Sequence, residues 1–320
     1  MDGLLTALGT KLTEKWLTLL ALPGALYVAA AVGARTLGQV HPWDLGHLVD
    51  QITAWAEDPR IDTVAGQVVV FVAVVAASAL VGLAAQGVSA ALERVWFAAD
   101  WASWPWFLPR VVAPVVGWRR ERWAGRYAAV EQARSPDHAF RSAEGYTFEV
   151  AYDRMARTSV EEPQRPTWCG DRLHAVAQRL DRDHDLDLAV VWPHLWLVLP
   201  DPVRAEITEA RQGLGRAVAL VAWGVLYLGL VVWWLPAVLV FAVLCALGWW
   251  RTRSATEAYA TLVEASVRLH AGDLAERVGV DYGGLLTTQV GQDLSNRLRA
   301  GFPRGPSTGG TDAPASGADE

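Results

Sequence analysis

Cys169, Asp171 and His174 fall close together in the sequence, with His184 and His194 downstream. Thiolate, carboxylate and imidazole are the side chains that bind zinc. Zinc sites, however, draw their ligands in pairs at short spacing, as in C-x-x-C, and one cysteine with scattered histidines supplies no such pair. A packing role is therefore expected for them. Asp181, Asp183, Asp185 and Asp187 give D-x-D-x-D-x-D, the opening of a calcium loop. The loop needs glycine at its sixth position and glutamate at its twelfth; here Leu186 and Trp192 stand there. The run reads as a solvated helix end. Phosphate-binding P-loops require Gly-Lys, and neither Lys11 nor Lys15 follows a glycine. There is no H-E-x-x-H. Gly87-Val88-Ser89-Ala90-Ala91 misses the last glycine of a nucleophile elbow. No catalytic residue, cofactor or metal is expected.

The elements that would have to position any chemistry are dominated by lipid-compatible sequence. Apolar residues make up 52% of the 320 and charged residues 19%, with strong segregation between the two. A net charge of −6 argues against a general nucleic-acid binder. Of the 28 basic residues only Lys11 and Lys15 are lysine, a bias of GC-rich bacterial genomes. Cys169 and Cys245 are the only cysteines, and Cys245 lies in an apolar run, so no disulfide framework is expected.

Residues 17–34 carry no charge and are long enough, at about 27 Å, to cross a bilayer core. A signal peptide with Lys11 and Lys15 as its basic region competes with this reading, although the apolar stretch exceeds a usual signal core. Residues 64–92 form a second uncharged run, about 43 Å long as a helix. Residues 217–250 form a third, bounded by Arg216 and Arg251. As one helix it would reach about 51 Å, more than tilt hides. Pro236 lies near its middle beside Trp233 and Trp234, and Trp249 and Trp250 lie at its far end. Tryptophan favours membrane–water interfaces. A helical hairpin puts one pair at each interface; the competing reading is one kinked or re-entrant helix.

The expected architecture is an all-α integral membrane protein with four transmembrane helices and a mainly helical, membrane-apposed cytoplasmic domain. The expected boundaries are an N-terminus at 1–15, spans at 16–36 and 64–92, an outer loop at 37–63, and the cytoplasmic domain at 93–215. The hairpin spans follow at 216–234 and 235–251, then cytoplasmic helices at 252–300 and a disordered tail at 301–320. Basic residues set the orientation. Lys11 and Lys15 precede the first span, seventeen arginines lie between Arg94 and Arg216, none lies in the hairpin turn, and Arg251, Arg253 and Arg268 follow the last span. Both termini are thus expected in the cytoplasm of a bacterial cell, with the protein in the plasma membrane.

Outside the spans, Trp43, Leu45, Leu48, Val49, Ile52 and Trp55 have the spacing of an amphipathic surface helix. The proline- and tryptophan-rich segment 95–118 suits the interface better than a fifth span. In "WRRERWAGR", Arg119, Arg120, Arg122 and Arg126 are candidates for lipid headgroups; an ordinary solvated face is the alternative. Tyr146, Phe148, Val150 and Tyr152 alternate as in a strand, without an identifiable partner strand. Residues 171–184 and 202–216 read as helices, the second capped by Asp201-Pro202 and running into the third span. The apolar element 189–200 is too short to span.

Pro166, Thr167, Gly170 and Asp171, followed by Asp187, Trp192, Pro193, Leu195, Trp196, Leu199 and Pro200, resemble a group of bacterial polytopic membrane proteins of unestablished activity. The resemblance covers about residues 160–250 and implies no catalytic residues.

The uncharged runs 17–34, 64–92 and 217–250 contain no Asp, Glu, Lys, Arg or His, which argues against a coupled transporter but not against a hydrophobically gated pore. Ala25, Ala29 and Gly33 in the first span, and Ser78 and Gly82 in the second, are candidate helix-packing positions, within the chain or in a homo-oligomer. Two function classes remain. One is a non-catalytic membrane anchor or scaffold that presents a docking domain to a cytoplasmic protein, with Trp192 and Trp196 as the candidate contacts. The other is an oligomeric pore-forming or membrane-perturbing effector. Membrane lipids are expected partners of either.

Overall fold

The uncharged runs are helical in the computed structural model, which describes residues 22–40, 42–57, 63–98, 101, 104, 107–134 and 145–299. Among these residues every regular element is a helix. In order they are α1 (Leu22–Leu37), α2 (Leu45–Ala56), α3 (Val64–Trp96), α4 (Phe107–Arg134), α5 (Gly145–Ala156), α6 (Trp168–His184), α7 (Leu188–Val198) and α8 (Asp201–Leu228). A 3₁₀ turn (Gly229–Val232), α9 (Ala237–Val278) and α10 (Thr288–Leu298) follow. Three helical stretches are long and apolar enough to cross a membrane: α3, α8 with the 3₁₀ turn that continues it, and α9. The shorter α1 is apolar too. The expected N-terminus, the start of the first span and the tail lie outside the described residues.

The chain divides into two units, residues 1–178 with 200–266, and residues 179–199 with 267–320. In the first, α3 packs against α1 and α8. Most of its valines and Phe71 point outward, while Ser78, Gly82 and Ala85, spaced i, i+4 and i+7, are buried. An oily exterior over a small-residue seam is the inverse of a water-soluble helix, and lipid is the solvent it suits. The seam is tight: a Cβ on Gly24 of α1 would strike the Ser78 carbonyl.

The long apolar run is a hairpin. Gly224 lies against Leu244 and Cys245, and Gly248 against Val221, so the arms of α8 and α9 run antiparallel. The reversal at 233–236 precedes α9, with Pro236 just outside it, where its missing N–H interrupts no helix bond. Gln39 completes the turn. Its Nε2 donates to the Val231 carbonyl at 2.9 Å, and its Oε1 accepts from the Leu235 N–H at 3.1 Å. The Trp234 indole donates to the Pro42 carbonyl at 2.8 Å. Ala34, Leu230 and Ala237 form a buried cluster beside it.

Two expectations are overturned. Asp201 does not cap α8: it is the first residue of the helix, Pro200 holds the cap position, and no side chain makes a capping hydrogen bond there. Residues 146–152 are not a strand but lie in α5. With no partner strand, only a helix satisfies their backbone groups internally. Phe148 and Tyr152 are then i, i+4 neighbours, stacked at 6.2 Å. The proline-bearing segment from Phe107 is likewise helical, with Pro114 inside α4.

In the second unit α7 packs on α10. The Asp187 N–H donates to Ser295 Oγ at 2.9 Å, and a side chain at Gly291 would collide with the His184 carbonyl. A helix falls within the expected 252–300 helical stretch as α10, capped by Thr287.

Candidate functional site

The helical period sorts the arginines of α4. Arg119, Arg122 and Arg126 fall at i, i+3 and i+7 and share a face; Arg120 does not. Arg120 instead donates through Nε to the Pro163 carbonyl at 2.8 Å and lies near Glu162. The other three meet Arg157, which follows α5, and Arg253 of α9. Together with Trp118, Thr158, Trp168 and Trp249 they line a cavity of about 490 Å³ that is open to solvent.

Arg119 is the most deeply set, 9% exposed. It donates to Asp171 Oδ2 at 2.6 Å, to the Thr158 carbonyl at 3.1 Å and to the Pro166 carbonyl at 3.3 Å. Its Nε is buried with no hydrogen-bond partner. Arg126 donates to the Arg154 carbonyl at 2.6 Å and to Thr158 Oγ1. Arg122 lies 5.1 Å over the Trp118 ring. Arg253 lies 4.2 Å over the Trp168 ring and donates to the Arg157 carbonyl at 2.8 Å. No carboxylate is among the lining residues. Burial pushes the Arg126 guanidinium below its ordinary range, and Arg122, Arg157 and Arg154 push the same way. Arg253 is lowered by burial, with Arg157 acting in the same direction. These cations repel one another; the opposing charges are Asp171 beside Arg119 and Glu257 acting on Arg253.

Two ion pairs hold the walls. Arg119–Asp171 joins α4 to α6, and Arg172 of α6 grips Glu257 of α9 through two bonds of 2.8 Å each. Asp171 Oδ1 also accepts from the N–H groups of Gln164 and Arg165 at 2.9 and 2.8 Å. Burial pushes the Asp171 carboxyl up, and Arg119 with the two N–H groups pulls it back. The residues of the resemblance acquire local reasons here. Thr167 Oγ1 accepts from the Gly170 N–H at 3.1 Å and donates to the Trp96 carbonyl. Gly170 has no side chain because the Trp96 carbonyl occupies its place, 2.9 Å from where a Cβ would lie.

The trio that suggested metal chemistry goes to separate tasks. Cys169 is buried beside Thr256, and burial raises its thiol. His174 Nε2 faces Gln164 Oε1 at 3.1 Å and its Nδ1 faces Arg165 Nη2 at 3.3 Å. This arrangement suits a neutral ring, and burial lowers its pKa. Of the aspartate run, Asp183 pairs with Arg268 and Arg182, and Asp187 caps α7 and pairs with Arg299. Among the described residues no group of three or more His, Cys, Asp or Glu could hold a metal ion.

Trp192 and Trp196 sit half-buried on α7, 5.9 Å apart, with Leu197 beside them 75% exposed. Ser78 and Gly82 pack within the chain, while Ala25 and Ala29 are exposed and open space surrounds Gly33. Sequence reasoning did not connect Arg157, Trp168, Trp249 and Arg253 with the arginines of α4, because no local period links positions so far apart. No family model matches the chain, and no curated protein or solved structure does either.

Proposed function

We propose that this is a four-pass protein of the bacterial plasma membrane, both termini cytoplasmic, acting as a non-catalytic anchor for a cytoplasmic partner protein. In this reading α1, α3, α8 and the first part of α9 span the bilayer, and the chain belongs with the polytopic group its 166–200 region resembles. The observation that carries the proposal is the continuity of α8 and α9. α8 passes from a polar stretch to an apolar one, and α9 from an apolar stretch to a polar one, each without a break. Past Trp250, α9 goes on for about 42 Å at 1.5 Å per residue. α7, which carries the proposed contacts, is separated from α8 by Leu199 and Pro200 alone, so a partner held there is tethered to a membrane-length helix by a two-residue link.

Trp192 and Trp196 are the proposed contacts, because a half-buried aromatic pair presents a large contact area at small entropic cost. A photo-crosslinker placed at Leu197 should capture a discrete protein in native cells. Replacing both tryptophans with alanine should abolish that product while leaving insertion and protein level unchanged. Degradation of the double variant would assign the pair to the core. Ion conductance by the purified wild type in liposomes, without any partner, would establish the pore-forming reading instead.

A further inference from the structure

The cavity bounded by Arg119, Arg122, Arg126, Arg157 and Arg253 has a volume suited to a small ligand. Its polar lining is almost wholly cationic. Among the described residues, Arg122, Arg126, Arg157 and Arg253 have no carboxylate in ion-pair contact; only Arg119 does. A group of guanidinium ions this close is self-repulsive, and it is stabilised when an anion enters. Arg119 forms the most deeply buried part of this cationic lining.

The geometry also selects among anions. Guanidinium forks match the tetrahedral, multiply charged oxygens of phosphate through paired N–H···O bonds. Trp118 and Trp249, both exposed, border the cavity, and Trp249 closes the apolar run of α9. Exposed tryptophan at the end of a membrane-length apolar run belongs to the headgroup layer. We propose that this cavity binds a phosphate group, presented at the membrane surface by an anionic phospholipid or carried by a soluble phosphoester. The Arg119–Asp171 pair is the fixed floor of the site, and Arg122 and Arg157 are the exposed residues that close on the ligand. The proposal does not depend on partner docking through Trp192 and Trp196.

The test uses the full-length protein in a zwitterionic detergent, where orientation in a membrane is irrelevant. Thermal stabilisation and calorimetric binding are measured with dihexanoyl phosphatidic acid, dihexanoyl phosphatidylcholine, glycerol 3-phosphate and inorganic phosphate. The phosphatidic acid should stabilise and bind, and the phosphatidylcholine should not. Raising sodium chloride from 0.1 M to about 1 M should weaken binding strongly, as ionic screening requires. Arg122→Gln with Arg157→Gln should lower affinity by about tenfold or more, since each lost charge-assisted bond is worth at least that. Arg122→Lys with Arg157→Lys keeps the charge but loses the paired bonds, so it should bind more weakly than wild type and more tightly than the glutamine pair. Equal binding of glycerol 3-phosphate and the lipid would identify a soluble phosphoester as the source; binding of the lipid alone would identify the headgroup. If phosphatidic acid, glycerol 3-phosphate and inorganic phosphate all fail to bind, or the glutamine pair binds as well as wild type, the proposal is overturned.

Discussion

Asp171 gathers three donors onto one carboxylate: Arg119 and the N–H groups of Gln164 and Arg165. Its side chain is 2% exposed and that of Arg119 11%. Such a pair contributes little net stability over an apolar replacement, because desolvating both ions offsets their attraction, yet removing one partner strands the other's charge. Asp171→Ala should therefore destabilise the protein by about 3–5 kcal/mol. Arg119→Met combined with Asp171→Leu should cost clearly less than Asp171→Ala alone. Thermal unfolding in detergent reads both, and a double variant less stable than the single would refute this account. Arg119 and Arg120 are neighbours in sequence with unrelated duties, one buried in an ion pair and one lying on a loop carbonyl. Residue type and adjacency did not separate them; the helical phase did.

At the level of elements, glycine sets how closely the hairpin arms approach. A Cβ on Gly248 would sit 3.0 Å from the Val221 backbone nitrogen and 3.3 Å from the Ala217 carbonyl. Backbone atoms cannot swing aside as side chains do, so the arms must part. In a bilayer, where helix association depends on close packing, that loss is not recovered by hydrophobic burial. Gly248→Leu should cost about 1–3 kcal/mol or more and lower the yield of folded protein, as size-exclusion chromatography and melting would report. Gly33→Ala, in open space, serves as the control and should change neither measurement. The same scale shows why α5 misleads on paper. Seven residues that alternate apolar and polar also contain i, i+4 pairs, and the choice falls to whichever conformation finds backbone partners.

For the whole molecule, the proposed orientation has consequences that can be read from outside the cell. Val49 on α2 and Leu269 on α9 are both well exposed. In a background lacking Cys169 and Cys245, an impermeant thiol reagent added to intact cells should modify Val49→Cys and spare Leu269→Cys. Both should react after permeabilisation. Modification of Leu269→Cys from outside would reverse the orientation and place the arginine cavity on the other face. A mature chain starting near Arg35 would show that the first apolar run is a cleaved signal.

The sequence by itself determined where lipid-compatible helices lie and that Pro236 marks a break, because segregation of charge and proline geometry are properties of neighbours along the chain. It also marked Ser78 and Gly82 as small residues at helical spacing. Only the tertiary structure decided which partner they meet, that Gln39 satisfies the hairpin turn, and that Arg157 and Arg253 join the arginines of α4 around one cavity. Those outcomes depend on the rotation of each helix about its axis and on how near two backbones can come. Such quantities are settled by packing between segments far apart in sequence, where no local period carries the information.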